Sequence, residues 1–185
     1  MADACVVVPG LLSAEEALKR MLDAVTPLAA SEHVPLAMAL GRVLADDVCS
    51  SVTVPPADNA AMDGYAVRAV DVVPGAPLPI SATVPAGRAP APLQPGTTAR
   101  IFTGAPIPAG ADTVVPQEAC ERKGDHVLMA SAPKPGRHIR PAGEDVRAGD
   151  QMLQVGMRLR PQDLAQAATG GHASLPVRPR LKVAV

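Results

Sequence analysis

A chain of 185 residues that is 48% hydrophobic and 19% charged has the balance of one ordinary folded domain or two small ones, not of a disordered tail. Its net charge of −1, from 17 basic and 18 acidic side chains mixed along the sequence, argues against a nucleic-acid partner, and no apolar run nears the ~20 residues of a membrane helix. Met1–Pro9 lacks the ordered regions of a secretory signal, and Cys5, Cys49 and Cys120 are too few and too scattered for a disulfide framework or zinc knuckle, so a reducing cytoplasm is expected.

The first element in chain order is a helix. Ser13 and Glu16 have capping-box spacing, and Ala14, Ala17, Leu18, Met21, Leu22 and Val25 recur as a single apolar stripe that Pro27 ends. A second, shorter helix is expected over 37–45, with Leu40, Val43 and Leu44 turned inward. From Ser51 to about Ala142 the texture changes. Short β-prone runs (Pro79–Val84, Thr97–Phe102, Thr113–Val115, His126–Ala130) alternate with turns at Pro74-Gly75, Pro95-Gly96 and Ala109-Gly110. With 21 prolines and 15 glycines, this is the texture of a compact β-rich barrel or sandwich. Tyr65 and Phe102 are the only aromatic residues, so the core must be built from Ala, Val, Leu, Ile and Met.

Gly149–Leu159 reads as a strand pair, and Pro161–Thr169 as a helix with proline in its first turn and Gly170-Gly171 at its end. Leu181–Val185 is a strand-like run of the kind that belongs to a sheet whose other strands follow, so the chain looks cut there. The fold class expected is α+β: a β-rich barrel- or sandwich-like domain inserted into a small mixed α/β domain and preceded by an amphipathic helix.

Three segments could carry chemistry. In Asp58–Arg68, Asp63 stands beside Gly64, where a backbone can approach a ligand; a plain turn, with Asp58 and Asn59 bonded to their own backbone, explains the residues as well. In Ile101–Asp112, Thr103-Gly104 follows a strand and could aim a hydroxyl and a free N–H at a ligand, or simply end the strand in a proline-rigid loop. In Gly136–Val146, Arg137, His138 and Arg140 lie near Glu144 and Asp145, a set able to hold an anion and a metal, or to form solvated surface pairs. The sequence has no phosphate-binding P-loop, dinucleotide fingerprint, His-Glu-x-x-His or nucleophile elbow.

Together, ADNAAMDGYAVR, IFTGAPIPAGADTVVPQE and GRHIRPAGEDVRAGD, with the leading SAEEALKRML and LGRVLADDV, resemble the successive signatures of the molybdopterin molybdotransferases, a family that includes the E domain of gephyrin. The resemblance runs from about Leu11 to Val185 and covers the N-terminal portion of the family's pattern. Ala57 stands where an aromatic often precedes the Asp-Asn pair, and Gly171-His172 replaces a more apolar continuation.

The resemblance implies an enzyme that inserts molybdate into adenylylated molybdopterin with release of AMP and a requirement for Mg²⁺, working as a homodimer. It implies activity-related positions at Asp63, Thr103 and Asp145. Asp63 and Asp145 would act electrostatically or position Mg²⁺, and Thr103 would bond to substrate. Gly64, Gly104, Arg137, Arg140 and Glu144 are the implied substrate contacts. It also implies a domain plan: residues 1–27 a helix that packs on a third domain, 28–50 with 143–180 a discontinuous linker and dimerisation unit, 51–142 the β-rich domain, and 181–185 the first strand of the molybdopterin-binding third domain. A non-catalytic dimerisation or scaffold module, the other service of the gephyrin E domain, is the alternative.

Overall fold

The computed structural model describes residues 12–26 and 28–182. It opens with α1 (Ala14–Asp23), where the Glu16 N–H donates to Ser13 Oγ at 3.1 Å. The return half of the expected capping box is replaced by another bond: the Glu16 carboxylate accepts from Arg20 Nη2 at 2.9 Å. The helix closes at Ala24, whose N–H donates to Arg20 and Leu22, ahead of Pro27, which lies outside the described residues. Its stripe stays open to solvent, with Leu18, Met21, Leu22 and Val25 each more than half exposed.

In chain order the strands are β1 (Glu32–Pro35), β2 (Val48–Cys49), β3 (Asn59–Ala60), β4 (Gly64–Val67), β5 (Pro77–Val84), β6 (Thr98–Ile101), β7 (Thr113–Pro116), β8 (Cys120–Lys123), β9 (His126–Met129), β10 (Ile139–Arg140), β11 (Gln151–Leu153) and β12 (Ser174–Val177). A second helix, α2 (Pro161–Thr169), lies between the last two strands.

The helix expected over 37–45 is not formed. A single 3-10 turn at Leu36–Met38 is followed by Gly41 at φ 74°, and Val43 and Leu44 then make bridges to Arg158 and Val177. Long-range backbone pairing overrides local helix propensity here. Of the three residues expected inward, Leu44 is fully buried while Leu40 and Val43 are exposed. Nor is 149–159 a strand pair with itself. β11 pairs with β2, and Leu159 exchanges backbone hydrogen bonds with Gly41 and Arg42, so the stretches before and after the β-rich part zip to each other. Antiparallel pairing of β1 with β12 and the placement of α2 over β11 complete this small α/β unit. Its core contains Leu44, Val48, Leu153, Leu159, Leu175 and Val177. α2 spans the residues expected, and the Asp163 carboxylate, accepting from Arg160 N, Nε and Nη2, fixes its first turn.

Between those stretches sits a curled six-stranded sheet in the order β7-β4-β6-β5-β9-β8, antiparallel except for the β5–β6 pair. Ala66, Ala99, Ile101 and Val114 pack in one apolar cluster, Tyr65, Val67, Val115 and Val127 in a second. The fold is thus α+β, with the sheet inserted into the mixed unit and a helix in front. Among the described residues no helix is long and apolar enough to cross a membrane, and Cys49 and Cys120 are free thiols. Leu181 and Lys182 are not in a strand, and 183–185 lie outside the described residues, as does the bulk of the expected strand.

Burial separates two leucines of similar local pattern. Leu44→Ala should cost about 2–5 kcal/mol, because it leaves a cavity in a closed core. Leu22→Ala on α1 should change stability by no more than about 0.5 kcal/mol, because the side chain is 63% exposed. Urea unfolding of the two variants measures both.

Candidate functional site

The three polar segments meet. β3, in the first, pairs with β10 of the third through Ile139↔Ala60 and Arg140↔Asn59. On its other side Asn59 bridges Pro106 of the second, Ala60 N donates to Ala105 O at 2.9 Å, and Gly104 N donates to Ala60 O at 2.8 Å. Asp58 is not bonded to its own turn: its Oδ1 accepts from Ala142 N at 2.8 Å, and its carbonyl from Ile107 N. The Asp-Asn pair therefore joins loops distant in sequence, which the turn reading does not provide.

Five residues on, Asp63 Oδ1 accepts two hydrogen bonds from Thr103, one from its N–H and one from its hydroxyl, both at 2.7 Å. With Gly104 N spent on Ala60, neither amide of the Thr-Gly pair is free for a ligand, contrary to the expectation for this loop. The Thr103 N–H, then its hydroxyl, hold the Asp63 carboxyl below its ordinary value, and the Arg100 charge adds to this against a partial burial that opposes it. Donors that stabilise the charged form keep Asp63 ionised at neutral pH.

Arg100, which sequence reasoning passed over, ties this corner together. Paired across the sheet with Tyr65, it donates from Nη1 to Gly64 O at 2.9 Å and from Nη2 to Gln117 Oε1 at 2.6 Å. Its guanidinium lies 5.3 Å from the Tyr65 ring centroid and 4.8 Å from that of Phe102, within cation–π range of both aromatic residues of the chain. The available signal was a cation two residues before Phe102, on the same face of the strand. Gln117 closes the loop by donating its N–H to Asp63 O at 3.1 Å.

Thr103→Val removes one of the two donors and keeps the amide. The Asp63 pKa, followed by carboxyl NMR, should rise toward its ordinary value without reaching it. The folded pKa is depressed, so the stability linked to ionised Asp63 is present above the unfolded value of 3.8 and is lost as pH falls through the folded one. In the variant that loss should be smaller and should be complete at a higher pH.

The other predicted acids form a second group. Arg140 donates from Nε to Glu144 Oε2 at 2.6 Å and from Nη2 to Asp145 Oδ1 at 2.7 Å, holding both carboxylates on one guanidinium. These side chains are substantially exposed, so the pairs fix geometry more than they stabilise the fold. Among the described residues no hydrogen bond or ion pair joins this group to Asp63 and Thr103. Arg137 and His138 belong to neither group; they line a separate cleft with Lys134. The described residues also contain no cluster of three or more His, Cys, Asp or Glu side chains able to hold a metal ion.

The sequence pattern of the MoeA N-terminal region (domain I and II) matches residues 12–171. The chain belongs to this family. The matched span contains both helices and all three polar segments of the MoeA N-terminal region. Over 158 residues the chain is 48% identical to molybdopterin molybdenumtransferase 2 of Mycobacterium tuberculosis, covering 82% of this chain and 39% of that protein. It is 38% identical over 180 residues to the molybdopterin molybdenumtransferase of Haemophilus influenzae, covering 95% and 44% of the two. The crystal structure of a molybdopterin biosynthesis moeA protein from Pyrococcus horikoshii OT3 superposes with a TM-score of 0.83 at 39% identity, over 89% of this chain and 45% of that one. The chain thus spans less than half the length of these relatives.

Proposed function

We propose that this chain forms one wall of the active site of a molybdopterin molybdenumtransferase, which hydrolyses the phosphoanhydride of adenylylated molybdopterin, releases AMP and inserts molybdate into the dithiolene. The observation that carries this reading is the Asp63 carboxylate, locked through Oδ1 by two Thr103 donors, while Oδ2 takes no hydrogen bond among the described residues. A fixed negative charge with one oxygen uncommitted is a preorganised electrostatic group. A scaffold would have no use for it.

In this reading Asp63 orients donor groups of the substrate, Gly104 leaves the surface beside it bare of a side chain, and Gly64, buried against β7, acts only by letting the two strands close up next to Asp63. The Thr103 proton is committed to Asp63, so toward substrate its hydroxyl serves as an acceptor. Arg140, with Nε and Nη2 held by Glu144 and Asp145, keeps Nη1 for a phosphate oxygen. Arg137 contributes from the neighbouring cleft. Magnesium, implied by the family resemblance, finds no cluster of ligands among the described residues: Asp63 leaves only Oδ2 open, and Glu144 and Asp145 are both drawn to Arg140. The donors described do not fit a resident Mg²⁺ held without further ligands.

The same reading places residues 51–142 at the active cleft and 28–50 with 143–180 at a homodimer interface, in the cytoplasm. It makes 1–27 a helix that packs on a third domain, whose first strand starts at 181–185. The open stripe of α1 and the separate apolar clusters support that division. Since substrate must be held in a productive geometry before any charge can act, the 185-residue chain by itself should release AMP at least about a thousandfold more slowly than the full-length transferase. Single-turnover AMP release with Mg²⁺ and molybdate tests this. Robust turnover by the chain alone would remove the need for a third domain, and an inactive but dimeric full-length protein would favour the scaffold.

A further inference from the structure

We infer that the cleft beside the outer edge of β7 is a binding site for a phosphate monoester carried on a compact apolar group. This inference stands on the geometry of the cleft; it shares Arg137 with the substrate reading above and needs none of the other residues placed there. The cleft has a volume of about 470 Å³, within the ~300–1,000 Å³ range of small-ligand sites. Val115, Pro116, Ala119 and Pro133 contribute apolar surface, while Ser131, Lys134, Arg137 and His138 bring the polar groups; no carboxylate lines it. None of Asp63, Thr103, Arg140, Glu144 or Asp145 is in the lining.

The donors are unspent. Among the described residues the Lys134 ammonium, the Arg137 guanidinium and the His138 ring make no hydrogen bond or ion pair. Most other arginines here, such as Arg42, Arg100, Arg140 and Arg178, donate to carboxylates, amides or carbonyls. The backbone that carries them is, by contrast, fully tied down. Lys134 O accepts from Thr113 Oγ1 at 3.1 Å, Arg137 O from Val114 N at 3.0 Å, and His138 O from Ala61 N at 2.9 Å. With those carbonyls bound into the fold, the loop is fixed on the sheet edge while its cationic side chains face the cleft.

His138 adopts φ 55°, the only left-handed non-glycine residue among those described. An L-residue held there is mildly strained, and strain of this kind concentrates where surrounding contacts serve a ligand. Two cations around one concavity match a dianion, Arg137 offering a planar fork and Lys134 a point charge, with the His138 ring as a further polar group. The apolar lining then sets a preference for an ester over free phosphate.

The test uses the 185-residue chain and three probes (phenyl phosphate, inorganic phosphate and phenol), with binding followed through backbone amide NMR shifts. Phenyl phosphate should saturate the site and shift the amides of Val115, Ala119, Ser131 and His138. Inorganic phosphate should bind about tenfold more weakly, and phenol not measurably, since charge-assisted bonds dominate with the apolar contact secondary. The Lys134→Ala/Arg137→Ala double variant should lose at least about tenfold in phenyl phosphate affinity. His138→Asn, a residue that tolerates the left-handed region, serves as a folded control and should lose less. Asp63→Asn should leave binding unchanged. Shifts that do not saturate, that map to Arg100 or Arg140, or that persist with equal affinity in the double variant would overturn the site. Equal affinity for phenyl phosphate and inorganic phosphate would overturn the ester preference.

Discussion

Gly64→Ala should destabilise the chain by about 3 kcal/mol or more, the size expected when an added methyl meets fixed backbone. A Cβ at this position would lie 2.0 Å from the Val115 carbonyl oxygen, 2.9 Å from its carbon and 3.0 Å from Pro116 Cα. No flexible side chain can yield, since all three are main-chain atoms of β7. Nor can β4 retreat, because Gly64 faces Pro116 on one side and Ile101 on the other, and its carbonyl accepts from Arg100. Relief therefore means parting β4 from β7 next to Asp63. Gly104→Ala is the informative contrast. Its Cβ would meet nothing within 4 Å, so only the φ of +78° opposes it, at about 1–2 kcal/mol. Chemical denaturation of the two variants should rank Gly64→Ala as the more damaging.

Asp63→Asn should lower AMP release by the full-length transferase about a hundredfold or more, with little change in folding. The scale is that of removing one preorganised electrostatic group from an active site that the proposed third domain would enclose. Geometry fixes the direction. Both Thr103 donors point at one oxygen, so an asparagine keeps its carbonyl toward Thr103 and turns its NH₂ outward. The group presented outward then changes from a charged acceptor to a neutral donor, while the shape stays the same. Asp145→Asn should cost less, about tenfold, because Glu144 continues to hold Arg140 from Nε. Substrate binding measured beside turnover separates lost transition-state stabilisation from lost affinity.

What the sequence revealed follows from how local each signal is. α2 was legible because Pro161 and Gly170-Gly171 punctuate it, and β5, β6, β7 and β9 because turn residues bracket short β-prone runs. β4 was not, since Gly64–Val67 is buried throughout and has no alternation to read. The 37–45 segment misled because Leu40, Val43 and Leu44 have helical spacing, whereas Gly41 and distant backbone partners at Arg158 and Val177 decide its course. At the site, residue types singled out three segments that do converge, and Asp63 does meet Thr103. Which groups pair is long-range information: Arg140 takes both acids, Arg137 turns to another cleft, and Arg100 reaches Gly64 and Gln117.

In the proposed reaction Thr103 acts through Asp63 to supply the working charge of the site. Single-turnover release of AMP from adenylylated molybdopterin, compared among the full-length transferase, Asp63→Asn, Thr103→Val and the double variant, tests it most directly. The expected result is a large loss in Asp63→Asn, a smaller one in Thr103→Val, and a double variant no slower than Asp63→Asn, because residues acting as a unit are not additive. Unchanged turnover in Asp63→Asn, or losses in the two single variants that simply multiply in the double, would contradict it.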